Sequence, residues 1–126
     1  MKLQVAVFLL AAGCTIDPVA RAELSGDATG LAIFQQAGTS DQVSYELALD
    51  GADGTYEVFI ADGACGGDLT PFDDAGVIEL VGGAGVLRGV KQTWGVASGD
   101  NDIVGRVLVV RQLRAVAACG EIFNSD

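Results

Sequence analysis

The sequence predicts an all-β domain, an eight-stranded Greek-key β-barrel or sandwich. Three observations carry that expectation. Apolar and polar residues alternate with period two in short runs from Ala20 onward. Turn-forming clusters ("SGD", "GTSD", "DGADG", "GGAG", "SGDND") separate the runs, and no stretch has a helical period. Half of the 126 residues are apolar and 18 are glycine, against two prolines, which suits one small, turn-rich core rather than disorder.

The segments follow in order. "ARAEL" sets Ala20, Ala22 and Leu24 on one face and Arg21 and Glu23 on the other. "TGLAIFQQ" is the second strand. "QVSYELAL" is the third, with Val43, Tyr45, Leu47 and Leu49 opposed to Ser44, Glu46 and Ala48. "TYEVFIA", "GVIELV", "GVLRGVKQTWGVAS", "IVGRVLVV" and "LRAVAAC" complete the set, with Trp94 expected to pack within the sixth. The stretch "GGDLTPFDDAG" reads as a loop between the fourth and fifth strands, and "SGDND" as a hairpin turn. Residues 20–126 thus form the folded domain.

The first residues carry a different signal. One cation, Lys2, precedes a largely apolar run from Leu3 to Ala12, too short for a membrane-spanning helix but fitting a secretory signal. Ala11, Ala12 and Gly13 directly before Cys14 resemble a bacterial lipobox, in which the cysteine becomes a lipidated N-terminus. Residues 1–13 are read as the signal peptide and residues 14–19 as the lipidated terminus and a short tether. The protein is then exported to the bacterial envelope and held to a membrane through Cys14. Thr15 stands where an inner-membrane retention signal more often carries Asp, which favours the outer membrane. Lipidation of Cys14 leaves Cys65 and Cys119, an even pair expected to be disulfide-bonded in an oxidising compartment. In the chain-entropy model such a bridge, closing a loop of about 54 residues, contributes roughly 4 kcal/mol.

Charge and composition exclude several functions. Seven basic against 17 acidic side chains give a net charge of -10, which leaves no footing on nucleic acid. There is no histidine, so no Ser-His-Asp or Cys-His arrangement exists. "GGAGVLRG" opens a strand rather than a helix and does not make a phosphate cradle. Asp68, Asp73 and Asp74, or Asp100 with Asp102, are the carboxylates with which a hard cation such as Ca²⁺ would be held.

The order of segments from "ARAELSG" to "AACGEI" resembles the copper/zinc superoxide dismutases. The most specific parts are "SGDNDIVGRVLVV", similar to that family's "SG-x-x-x-I-I-G-R-x-L-V-V-H", and "ACGEI", similar to "R-x-A-C-G-V-I". The resemblance implies the family's barrel with shortened loops and the same Cys65–Cys119 bridge. It also implies that the metal ligands are gone. "Y-E-V-F-I-A" stands where the family reads "H-G-F-H-x-H", so Phe59 and Ala61 occupy copper-histidine positions, and Arg111 replaces the histidine after "G-R-x-L-V-V". Imidazole is what makes a good copper ligand, and phenylalanine, alanine and a guanidinium do not replace it. By this reading the chain is not an enzyme, carries no metal or other cofactor, and serves as a structural or binding module. The alternative is a metal-dependent protein with a site rebuilt from carboxylates. The family's strand geometry further implies that Val58 and Ile60 fill the barrel while Phe59 and Ala61 face outward beside Arg111. Two outcomes are open there: an exposed patch for an unknown partner or self-association, or a small satellite core closed over by Leu69 and Phe72.

Overall fold

The computed structural model describes residues 19–36 and 42–125; the signal segment, Cys14 and the tether as far as Pro18 lie outside the described residues. Eight strands and no helix are found among them: β1 (Val19–Gly26), β2 (Thr29–Gln36), β3 (Val43–Asp50), β4 (Gly54–Gly63), β5 (Leu69–Leu80), β6 (Ala84–Lys91), β7 (Val107–Gln112) and β8 (Ala115–Asn124). All pairings are antiparallel, and the order across the sheet is β5-β4-β7-β8-β1-β2-β3-β6. β3 runs into β4 and β6 into β7 by crossing between strands that are not neighbours in the sheet.

Alternation along each strand decides which side is interior. Ala22 and Leu24 of β1, Ala32 and Phe34 of β2, and Leu47 and Leu49 of β3 are buried, while the residues between them face out. Val58, Ile60, Ile78, Leu108, Val110 and Ile122 complete the same core from the opposite side. Each large aliphatic side chain removed from water here contributes about 1.5–3 kcal/mol, which is what drives the sheet to curl.

The sheet is nearly closed. β5 and β6 are joined by a hairpin turn at Gly82 and Gly83, whose φ values of 68° and 90° are the positive pair a tight two-residue connection requires. Beyond the bridge Val81–Ala84 no ladder joins them. Side chains close this seam instead. Tyr45 of β3 lies across Gly89 of β6, in the space a β-carbon would fill, and its hydroxyl donates to the Ala75 carbonyl of β5 at 2.5 Å. Tyr45 packs beside Trp94 at 5.2 Å between ring centroids, and both pack on Phe34. The Trp94 indole N–H donates to Asp73 Oδ2 of β5 at 2.7 Å, which ties the same seam a second time.

Four boundaries differ from the sequence reading, the simplest being β8, which runs on past Cys119 to Asn124. The stretch taken as a loop, "GGDLTPFDDAG", supplies the first half of β5, which pairs with β4 from Gly63–Leu69 upward. Its alternation is hidden by two register shifts, which leave Phe72 and Ala75 as extra residues opposite β4. Pro71 is tolerated because β5 is an edge strand. β6 stops at Lys91 rather than Ser98, since Trp94 turns in to cap the aromatic cluster. "SGDND" is correspondingly not a hairpin turn but part of the crossing segment 92–106, and β7 begins at Val107 rather than Ile103.

Candidate functional site on the outer face of β4 and β7

β4 presents Glu57, Phe59 and Ala61 on its outer face, because Val58 and Ile60 between them enter the barrel. The register brings Glu57 opposite Arg111, Phe59 opposite Val109 and Ala61 opposite Val107. Val109 is in turn opposite Cys119 on β8. The three positions singled out in the sequence therefore do share one face.

That face is covered, not open. Cys65, on the connection between β4 and β5, is disulfide-bonded to Cys119 with 5.8 Å between their α-carbons. Leu69 packs onto the cluster of Phe59, Ala61, Val107, Val109 and Cys119. Phe59 is left 8% exposed and Ala61 0%, so these two form a satellite core and not the exposed interaction patch that was one of the two expectations. The physical reason is that β5 continues down to Leu69 instead of ending as a loop. Phe72 contributes differently from Leu69: it packs against the main core and beneath the Arg106 guanidinium, 3.7 Å from its ring centroid.

Arg111 closes the upper edge of the cluster. Its Nε and Nη2 donate to Glu57 Oε1 at 3.1 and 2.7 Å, and its guanidinium carbon lies 4.8 Å from the Phe59 ring centroid. Beside it is a depression of about 410 Å³ lined by Glu57, Phe59, Pro71, Phe72, Asp73, Asp74 and Arg111. A benzyl ring and a methyl group offer a metal no lone pair, and a guanidinium stays protonated. These three residues do not fit a copper or zinc ion.

No protein-family model and no curated protein matches the chain.

The carboxylates have local duties. Asp73 Oδ1 accepts from the Asp74 backbone N–H, and its Oδ2 lies between the Trp94 indole and Lys91 Nζ, the latter at 3.6 Å. Asp74 accepts from the Gly76 N–H. Asp102 Oδ1 takes backbone N–H groups of Ala97 and Val104 at 2.8 and 3.0 Å, which holds the crossing segment 92–106 in shape. Asp68 is exposed beside the disulfide loop, and Asp100 lines a separate depression with Gln36, Trp94 and Ser98. Among the described residues no three His, Cys, Asp or Glu side chains converge.

The sequence reading missed the seam. Tyr45 was placed correctly on an inward face, but nothing in its own strand pointed to a partner on β5. Burial holds its phenol above the usual tyrosine pKa, with the charges of Asp74 and then Asp73 adding to the effect. The glycine at position 89, inside an otherwise alternating strand, was the available signal of a close approach. Arg106, paired with Asp62 and stacked on Phe72, was also not singled out.

Proposed function

We propose that this is a non-catalytic superoxide dismutase-like domain of a bacterial envelope lipoprotein, serving as a rigid structural or binding module. The observation that carries the reading is the content of the face discussed above. Phe59 and Ala61, at the positions where the resembling family has copper-binding histidines, are packed as hydrocarbon, and Arg111 is committed to Glu57. The crossings from β3 to β4 and from β6 to β7 support the finer assignment of a Greek-key barrel of that family's kind. Cys14 after "LLAAG" supports export and lipidation, and the Cys65–Cys119 bridge is in keeping with an oxidising compartment.

Elemental analysis of the full chain, purified from membranes and dialysed, tests the reading against a site rebuilt from carboxylates. The expected result is copper, zinc and calcium each far below one equivalent, with no acceleration of superoxide decay. About one equivalent of any of these metals retained per chain would overturn it.

A further inference from the structure

The outer side of β1, β2, β3 and β6 differs from the rest of this acidic surface. With Phe123 of the neighbouring β8, its residues lie in four successive cross-strand rows: Gln35, Ser44 and Val90; then Phe123, Arg21, Ile33, Glu46 and Arg88; then Glu23, Leu31, Ala48 and Val86; then Thr29, Asp50 and Ala84. The charges in the first three rows cancel within the face, Arg21 with Glu23 and Arg88 with Glu46, each at 3.3 Å, and the exposed Asp50 stands in the row farthest from the start of β1. The chain as a whole carries -10. Leu31, Ile33, Val86, Val90 and Phe123 are all exposed here, and a depression of about 460 Å³ opens between Ile33 and Val90.

We propose that this face is where the domain rests on the lipid bilayer; the inference depends on lipidation of Cys14, as proposed above. The length of chain before β1 is the first argument. Five residue steps separate Cys14 from Val19, a reach of at most roughly 18 Å. The anchor therefore holds the barrel by the end at which β1 and β3 begin and β2 and β6 finish, next to the row of Gln35, Ser44 and Val90. Charge is the second. A bilayer containing anionic lipid repels a strongly acidic surface, and does so least through a face most of whose charges are internally paired, the rest of the protein lying beyond a Debye length. The third is chemistry: aliphatic and aromatic side chains on a neutral face gain by leaving water at the headgroup boundary. A second copy is the competing occupant; the short tether favours the bilayer, because it keeps this face within reach of the membrane that holds Cys14.

The test uses the full lipidated chain in vesicles of phosphatidylethanolamine and phosphatidylglycerol at about 3:1, with detergent micelles as reference. A fluorophore is placed on Ser44→Cys, and in a separate protein on Thr55→Cys, which is exposed on the opposite sheet face. Iodide quenching at position 44 should fall at least about threefold from micelles to vesicles, while position 55 stays unchanged. Spin-labelled lipid should quench position 44 selectively, and Val90→Glu should reverse much of the protection. Intact mass keeps the two levels apart. A chain without a diacylglycerol-sized addition refutes the lipoprotein reading itself. A lipidated chain whose position 44 is equally open in vesicles and micelles overturns only the present inference. Protection that appears in micelles and rises with protein concentration would assign the face to a second copy and overturn it equally.

Discussion

Replacing Phe59 with Ser tests whether the outer face of β4 is a structural core. The ring is 8% exposed and bounded by Ala61, Val107, Val109, Cys119 and Leu69, with the Arg111 guanidinium over its edge. Truncating a fully enclosed Phe costs about 3–5 kcal/mol through lost transfer energy and the residual cavity. This cluster is one side chain deep and can partly collapse by inward movement of Leu69, so about 2–4 kcal/mol is the expected loss. For a domain of this size that corresponds to a fall in Tm on the order of 10–20 °C. Differential scanning calorimetry under non-oxidising, non-reducing conditions reads it directly, and Leu69→Ala should give a smaller change of the same sign. A Tm within about 2 °C of wild type, with the disulfide intact, would refute the satellite core. If that variant also lost an association that wild type shows, the face would be an interface.

Three further outcomes are expected. Reduction of the Cys65–Cys119 bridge should lower stability by roughly 4 kcal/mol in urea titrations, and unreduced unfolded protein should show no free thiol at either position. Gly89→Ala places a β-carbon 2.6 Å from Tyr45 Cζ, so it should cost about 1–3 kcal/mol, and most of that should disappear in a Tyr45→Leu background. Stability should also fall in strong alkali. The folded phenol of Tyr45 has a raised pKa, so its contribution is complete below the unfolded value near pH 10 and is lost as pH climbs through the folded one. Denaturation midpoints compared between about pH 8 and pH 11 should decline more steeply for wild type than for Tyr45→Phe, and parallel declines would refute the assignment.

Legibility in the sequence followed the coverage of each strand. β1, β2 and β3 have one face in the core and one in water, so their alternation is visible residue by residue and their ends came out within a few positions. β7 shows the opposite case. "VLVV" is buried throughout because Leu108 and Val110 meet the barrel interior while Val107 and Val109 meet the satellite core. That unbroken run was a sign of cover on both faces, and it bears on Phe59 next door, whose exposure the sequence left open. β5 was half lost because each of its two bulges reverses which face a side chain takes, and Pro71 with two adjacent aspartates looks like a turn. The seam was not legible at all. The bonds from Tyr45 to Ala75 and from Trp94 to Asp73 join residues that share no local pattern.

The adjacency of β1 and β8 has a mechanical consequence. Ala20 lies opposite Asn124, so the two outermost strands of the described chain begin and finish side by side. Traction applied at those two points would load the β1–β8 ladder one rung at a time, as in a zip, and not along its whole length in shear. Such a joint yields at low force. The peeling of β8 reaches Cys119 after only a few residues, however, and there the strand is bonded to Cys65 on the connection after β4. The 54-residue span between the two cysteines is then bypassed by the pull, which passes through the sulfurs and continues from Cys65 back along β4. An oxidised barrel drawn from its ends should therefore release β1 to β4, up to Cys65, and the few residues after Cys119, with the bridged span withheld. A reduced one should pay out the whole length.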